Sequence, residues 1–535
     1  MAQRPQAVRP PRLVAAALVF LVAAVIVGAS RSHPSARAAS TSAHFAMPAG
    51  SIDHLDPGLW YFASTWKLSL ATCTPLLTFP DAQGSAGKVV IGGIASLPKI
   101  ANGGRTYTFQ IKPGLKFPNG KPIDAAAEKA TFTRLFGKKL ASPAVGFFDV
   151  IKQITAKGNT LTITLRSPVG SFLKRMTVPW TCPVPPGSST GAVENGSLLQ
   201  SGPYTVSKYV PDRQLVLKRN PAYNAKQLGN RGHFDTITID IGVDAAQAEL
   251  QIKAGQLDGY LDRLPAAAVN QDLRDPTLKG RIFLNPTTSV NYLWMNNDVA
   301  PFNNAKVRQA VNYAINRNAI LRVWGGRSQG QITDQILPPT MGGYRDVQIY
   351  PANGDVAKAK ALLAGAGVKL PIKTTLRTRS DAPGFLEMAQ VVQNELNAVG
   401  FAVSIKSAPD SVNGGIISTR ANKIPMGINN WTQDYPDGDD FFGPLLDGRR
   451  ITPTNNNNYA AFNNANVNKA IDRISPMVGA TRDNAWEALD ISTMRNATPW
   501  APLINPTWVD LISSRLTGYV YTPVYGMDIT TLKAK

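Results

Sequence analysis

Histidine is nearly absent from this 535-residue chain, which holds four: His33, His44, His54 and His233. No H-E-x-x-H, no helical His pair and no C-x-x-C occurs, so a zinc site has almost no ligands to draw on. His54 between Asp53 and Asp56 is the only local cluster of His with carboxylates, and it reads as a loop. Phosphate-cradling G-x-x-x-x-G-K-[ST] and dinucleotide-binding G-x-G-x-x-G patterns are also missing. No metal and no cofactor is expected. Acids are scarce too, 35 against 56 Lys and Arg, and charged residues are only 17%. The net charge of +21 therefore reflects missing acids more than added bases. Lys and Arg never run beyond a pair, and the pairs (Lys138-Lys139, Lys174-Arg175, Lys218-Arg219, Arg449-Arg450) lie far apart. A phosphate-binding face needs clustered cations, so a nucleic-acid partner is not expected.

What is present is a globular composition. Apolar residues make up 44%, enough for sizeable cores. The length suggests three or four units of about 150 residues. At the start, Arg4, Arg9 and Arg12 precede the one long apolar run, Leu13 to Gly28, and Ala36-Arg37-Ala38 follows. A cationic start, a short apolar core and an A-x-A site describe an export signal spanning 1–38, cut before Ala39. An uncleaved anchor is the alternative, although 16 apolar residues fall short of the roughly 20 needed to span hydrocarbon. Losing the signal's five arginines leaves about +16. No Cys ends the apolar run, so a lipoprotein is not expected. The two cysteines, Cys73 and Cys182, are expected to form a disulfide in an oxidising compartment; two separate buried thiols are the alternative.

Periodicity places the elements. Tyr107, Phe109 and Ile111 share one face of a strand, and Pro113-Gly114 and Pro118-Asn119-Gly120 turn the chain after it. Asp124 caps a helix to about Phe136. Strands are predicted at 160–166 and 236–241, and a helix runs from Asp244 to about Ala254 before Gly255. Val307, Ala310, Val311, Ala314 and Ile315 form a helical stripe, and Asp355 caps another helix. Strand 372–377, helix 385–399 and strand 401–406 read as a βαβ unit in a largely parallel sheet. The class is α/β in more than one lobe.

Gly187-Ser188-Ser189-Thr190-Gly191 matches G-x-S-x-G, but follows Pro183, Pro185 and Pro186 rather than an apolar strand. It reads as a surface loop. A large exported α/β chain without catalytic machinery is most economically a binder.

Several blocks then resemble one family in its own order. They are Thr106 to Ala125 (TYTFQIKPGLKFPNGKPIDA), Ser201-Gly202-Pro203-Tyr204 with Leu217 to Tyr223, Asn296 to Ile320, and Trp431-Thr432-Gln433-Asp434-Tyr435-Pro436-Asp437. Leu55-Asp56-Pro57 and Ala254 to Asp258 also fit. They resemble the family 5 solute-binding proteins of ABC transporters, the oligopeptide, dipeptide and nickel group.

The resemblance implies a two-lobed periplasmic-binding-protein-like fold (class II, cluster C type) with an extra domain inserted in the N-terminal lobe. The lobes would be 39–300, with the insertion at about 86–200, and 301–500, with 501–535 returning to the first. Crossings are expected near Leu293–Pro301 and Trp500–Pro506. It implies that Asp434 meets a ligand ammonium and that Trp431 lines the pocket, with Tyr435, Asn430, Trp60 and Tyr61 as further candidates. The implied role is capture of a short peptide by hinge closure, as a monomer outside the cytoplasm, and delivery to an ABC permease. The alternatives are an exported hydrolase using Ser189, a non-transporting envelope receptor, or a binder of a non-peptide solute. Three features depart from the family: Asn316 stands where Asp is usual, the acidic pair after Gly120 is reduced to Glu128, and no lipid-bearing Cys is present. Arg308 is expected to pair or cap rather than bind ligand.

Overall fold

In a computed structural model, residues 41–82, 90–382, 384–523 and 525–535 are described. The export-signal expectation for 1–38 lies outside them. Among the described residues no helix is long and apolar enough to cross a membrane.

Alternation drives the first sheets. Tyr107, Phe109 and Ile111 are all buried. Strand Thr106–Gln110 lies in a four-stranded antiparallel sheet with Lys99–Ala101, Thr160–Leu165 and Ile151–Lys157. Helix Ala125–Leu135 covers it, its start fixed by the Asp124 carboxylate accepting from the Ala126 and Ala127 amides. A five-stranded sheet sets Ser42–Met47 between Thr236–Ile241 and Gly259–Tyr260, parallel to both. Gln214–Arg219 and Tyr204–Val210 extend it antiparallel.

The largest sheet has seven strands. The βαβ unit is there: Ile372–Arg379 and Phe401–Ala408 run parallel, with helix Phe385–Val399 between them. Gly400 ends that helix at φ 116°, a conformation that costs a side-chain-bearing residue. The sheet as a whole is mixed, not largely parallel. Met426–Thr432 is parallel to Ile372–Arg379 but antiparallel to Ser289–Met295, which is antiparallel to Trp500–Leu511. Ser289–Met295 is buried on both faces, so it carries no alternation to betray its direction.

Trp500–Leu511 is shared: its first half pairs with Ser289–Met295 and its second with Ile282–Pro286. Ile512 just beyond bridges Gly259 of the five-stranded sheet. Arg308 is buried and donates to the carbonyls of Phe302, Ala497 and Thr498, a structural anchor. Asn316 caps a helix by accepting from the Ala319 amide. Glu128 is fully buried without a partner on either carboxylate oxygen among the described residues, and burial pushes it well above the usual range.

Cys73 and Cys182 are bonded, with Cα atoms 5.5 Å apart. The bridge ties the end of helix Ala63–Thr72 to the turn Pro179–Thr181. Closing a loop of this length is worth roughly 4–5 kcal/mol on chain entropy.

Candidate functional site

Strand Met426–Thr432 leaves the core at its last residues. Met426, Gly427 and Ile428 are buried, whereas Asn430, Trp431 and Thr432 are half-buried. A turn through Pro436 leads into helix Asp439–Leu446, whose first turn carries Asp439 and Asp440. Acids there suit the positive end of the helix dipole.

Facing this turn is helix Ala63–Thr72. Its entry is set by Asp53, whose carboxylate accepts from the Tyr61 and Phe62 amides at 2.7 and 2.9 Å. Trp66 stands edge-on to Trp180, ring centroids 5.2 Å apart, and Tyr61 stacks on Trp180 at 6.0 Å. Between the two elements lies a cavity of about 110 Å³ lined by Tyr61, Ala63, Trp66, Trp431, Thr432, Gln433 and Asp434.

Its polar wall is under-satisfied. Asp440 Oδ2 accepts from the Asp434 amide at 2.8 Å and from Trp431 Nε1 at 3.3 Å. Asp434 Oδ2 has no partner among the described residues, although the residue is only 9% exposed. Burial pushes Asp434 up to about 7. Asp440 is raised well above the carboxylate range by burial and then by the charge of Asp434. No cation approaches Asp434 within ion-pair distance among the described residues, so an arriving ammonium would supply the missing charge.

Of the six residues expected at the site, Asp434, Trp431 and Tyr61 meet at this cavity. The other three are placed elsewhere. Trp60 is buried in the core beneath the four-stranded sheet, and its carbonyl accepts from Trp180 Nε1 at 2.7 Å. Tyr435 turns away from Asp434: its hydroxyl donates to Asp439 at 3.2 Å and its ring lies against Arg175 and Phe147. Asn430 pairs with Asn291 across the strands and precedes Trp431, so its side chain leaves on the opposite face. Trp66 and Gln433, which no motif singled out, line the cavity instead. The one available signal was Gln433's place inside the Trp431–Asp434 block.

Two larger surface depressions, of about 380 and 500 Å³, lie over Tyr223 and over Phe132–Phe136. No residue lining either carries a buried polar atom without a partner among those described. Ser189 sits in an exposed loop, its hydroxyl directed at the Gly191 carbonyl, and its own carbonyl accepts from Arg134. That is not a strand-to-helix nucleophile elbow.

The match to known proteins is broad. The chain is 25% identical to "Probable D,D-dipeptide-binding periplasmic protein DdpA" of Escherichia coli K12, over 88% of this chain and 90% of that protein. It is 26% identical to heme-binding protein A of Haemophilus influenzae, over 80% and 81%. Among solved structures, clavulanic acid biosynthesis oligopeptide binding protein 2 superposes with a TM-score of 0.83 at 25% identity, covering 92% of this chain and 96% of that one. The model of the bacterial extracellular solute-binding proteins, family 5, matches residues 89–453. The chain belongs to that family, whose members bind solutes for transport rather than transform them.

Proposed function

We propose that this protein is the extracytoplasmic binding component of an ABC importer and that it captures short peptides by their free amino end. The observation that carries this reading is Asp434 Oδ2: a buried carboxylate oxygen without a partner among the described residues, on a residue that lines a cavity with Tyr61, Trp66 and Trp431. A peptide ammonium would satisfy it with a charge-assisted bond, and the aromatic faces add cation–π attraction. The relatives named for D,D-dipeptide and oligopeptide binding support a peptide; the heme-binding relative makes a non-peptide solute the competing outcome.

In this reading 39–300 with 501–535 forms one lobe and 301–500 the other, and they close over the ligand as a monomer that then docks on a membrane permease. The cavity holds little more than one amino-acid-sized group, so a longer ligand requires the walls to part. Native mass spectrometry of freshly purified protein, followed by calorimetry with the di-, tri- and tetra-alanine series and their N-acetyl forms, tests it. Co-purified peptides, and loss of binding on acetylation, are expected. A non-peptide adduct, or equal affinity for acetylated forms, overturns the peptide reading.

A further inference from the structure

Asp434 is not the only unsatisfied group at the cavity. Gln433 is 2% exposed, and among the described residues neither its Oε1 nor its Nε2 has a hydrogen-bond partner. Trp66 is 3% exposed, and its Nε1 also lacks a partner among the described residues. Both residues line the cavity with Asp434. Because both ends of the Gln433 amide are unpaired, assigning its oxygen and nitrogen the other way round changes nothing.

The inventory is specific. Two acceptors are open, the anionic Asp434 Oδ2 and Gln433 Oε1, and so are two donors, Gln433 Nε2 and Trp66 Nε1. A bare amine would satisfy only the acceptors and leave both donors buried and unmatched, which is costly. An ammonium with a carbonyl oxygen on the adjacent carbon satisfies both sets within a cavity of about 110 Å³.

We infer that Gln433 and Trp66 are specificity residues that read the carbonyl oxygen beside the ligand's ammonium, so the pocket selects an α-aminoacyl group over other organic cations. This rests on the peptide reading above and adds the second half of the recognised group. In the ligand-free protein, water can occupy the same four positions, and the ligand displaces it.

The test compares trialanine with its analogue in which the first peptide bond is replaced by a trans carbon–carbon double bond. That probe keeps the ammonium and the shape and removes the carbonyl oxygen together with the amide N–H, so the Gln433 and Trp66 variants below assign the loss to the oxygen. Calorimetry on the unmodified protein should show the analogue binding about 10- to 100-fold more weakly, in line with the cost of leaving buried donors unpaired. Gln433→Met and Trp66→Phe should each weaken trialanine by about 10-fold and shrink the gap between the two probes. The Trp66 indole N–H resonance, assigned by its absence in Trp66→Phe, should move on adding trialanine and stay put with the alkene. Equal affinity of both probes for the unmodified protein overturns the inference and means the unpaired atoms hold water only. If Asp434→Asn abolishes trialanine binding at the same time, the peptide reading survives without it. If none of the alanine peptides binds, both fall.

Discussion

Two pairs of aspartates sit within seven residues of one another, and their surroundings differ in sign. Asp437 is fully buried and receives Arg482 through Nε and Nη2, Lys174 Nζ at 3.1 Å and Trp486 Nε1 at 3.1 Å. Asp439 receives Arg175, the Ser171 hydroxyl at 2.8 Å and the Tyr435 hydroxyl. Burial pushes both upward, yet the guanidinium and ammonium charges hold both below the usual carboxylate range. Asp434 and Asp440 are equally enclosed but have no such cations, and both are raised. One pair is matched by cations of the protein; the other has none, and its Asp434 Oδ2 lacks any partner among the described residues.

The satisfied pair also joins distant parts of the chain. Ser171, Lys174 and Arg175 follow the four-stranded sheet, whereas Asp437, Asp439 and Arg482 follow the seven-stranded one. Beside them the Gly170 amide donates to the Ser475 carbonyl at 2.7 Å. A Cβ on Gly170 would sit 1.8 Å from the Met477 carbonyl oxygen, so only glycine permits this approach. The contact clasps the two regions.

The largest way to break the comparison is to remove a satisfied acid. Asp437→Ala strands Arg482, itself buried, and should cost about 3–5 kcal/mol in urea unfolding at pH 7. Asp440→Asn replaces a buried acid that no cation compensates and should be neutral or stabilising in the same assay. Equal losses from both would show that the two pairs do not differ.

Asp434→Asn comes next. Folding should be unharmed, but trialanine affinity should fall by about 30- to 1,000-fold, the usual cost of deleting one partner of a desolvated charge pair. Calorimetry beside a thermal melt separates the two effects. Unchanged affinity would remove Asp434 from the binding site.

The pH response then sharpens the contrast, because the pairs carry opposite signs. Asp437 and Asp439 are depressed on folding, so their stabilisation is present above about pH 4 and lost as pH falls below it. Asp434 is raised to about 7, so its protonated form is favoured in the fold and it begins to cost stability as pH climbs from about 4 to 7. The groups facing it are Tyr61 and Asp440, which burial also raises. An ammonium ligand needs the ionised form. Trialanine affinity should therefore weaken by up to about 10-fold per pH unit below 7, and Asp434→Asn should flatten that slope. A flat profile in the unmodified protein would place the ammonium elsewhere.

How much of this was legible differs between fold and site. Helices with a capping Asp at 124, 244 and 355, and the 372–408 βαβ unit, were plain because each signal is local. The mixed order of the large sheet was not, since Ser289–Met295 is buried throughout and shows no alternation. At the site, Asp434 and Trp431 were legible through a motif. Trp66 was not, and Gln433 only by its place inside that motif: the two become neighbours only when a helix near the start of the described chain meets a turn late in it. Trp60 and Tyr61 are adjacent in a stretch without regular structure, where no period tells which one faces inward.

Tyr435 supplies the smallest and most discriminating test, because it adjoins Asp434 in sequence yet belongs to the satisfied pair in space. Its hydroxyl donates to Asp439, which keeps Arg175 and Ser171 if that bond is lost. Tyr435→Phe preserves the ring against Arg175 and Phe147 and removes one hydrogen bond among several, so stability should drop by only about 1 kcal/mol. Trialanine affinity should stay within about 2-fold, since one net hydrogen bond on the far side of the turn leaves Asp434 Oδ2 and Gln433 untouched. A tenfold loss of affinity with unchanged stability would mean that Tyr435 swings into the cavity when ligand binds. The boundary between the clasp and the pocket would then fall between Tyr435 and Asp437 rather than between Asp434 and Tyr435.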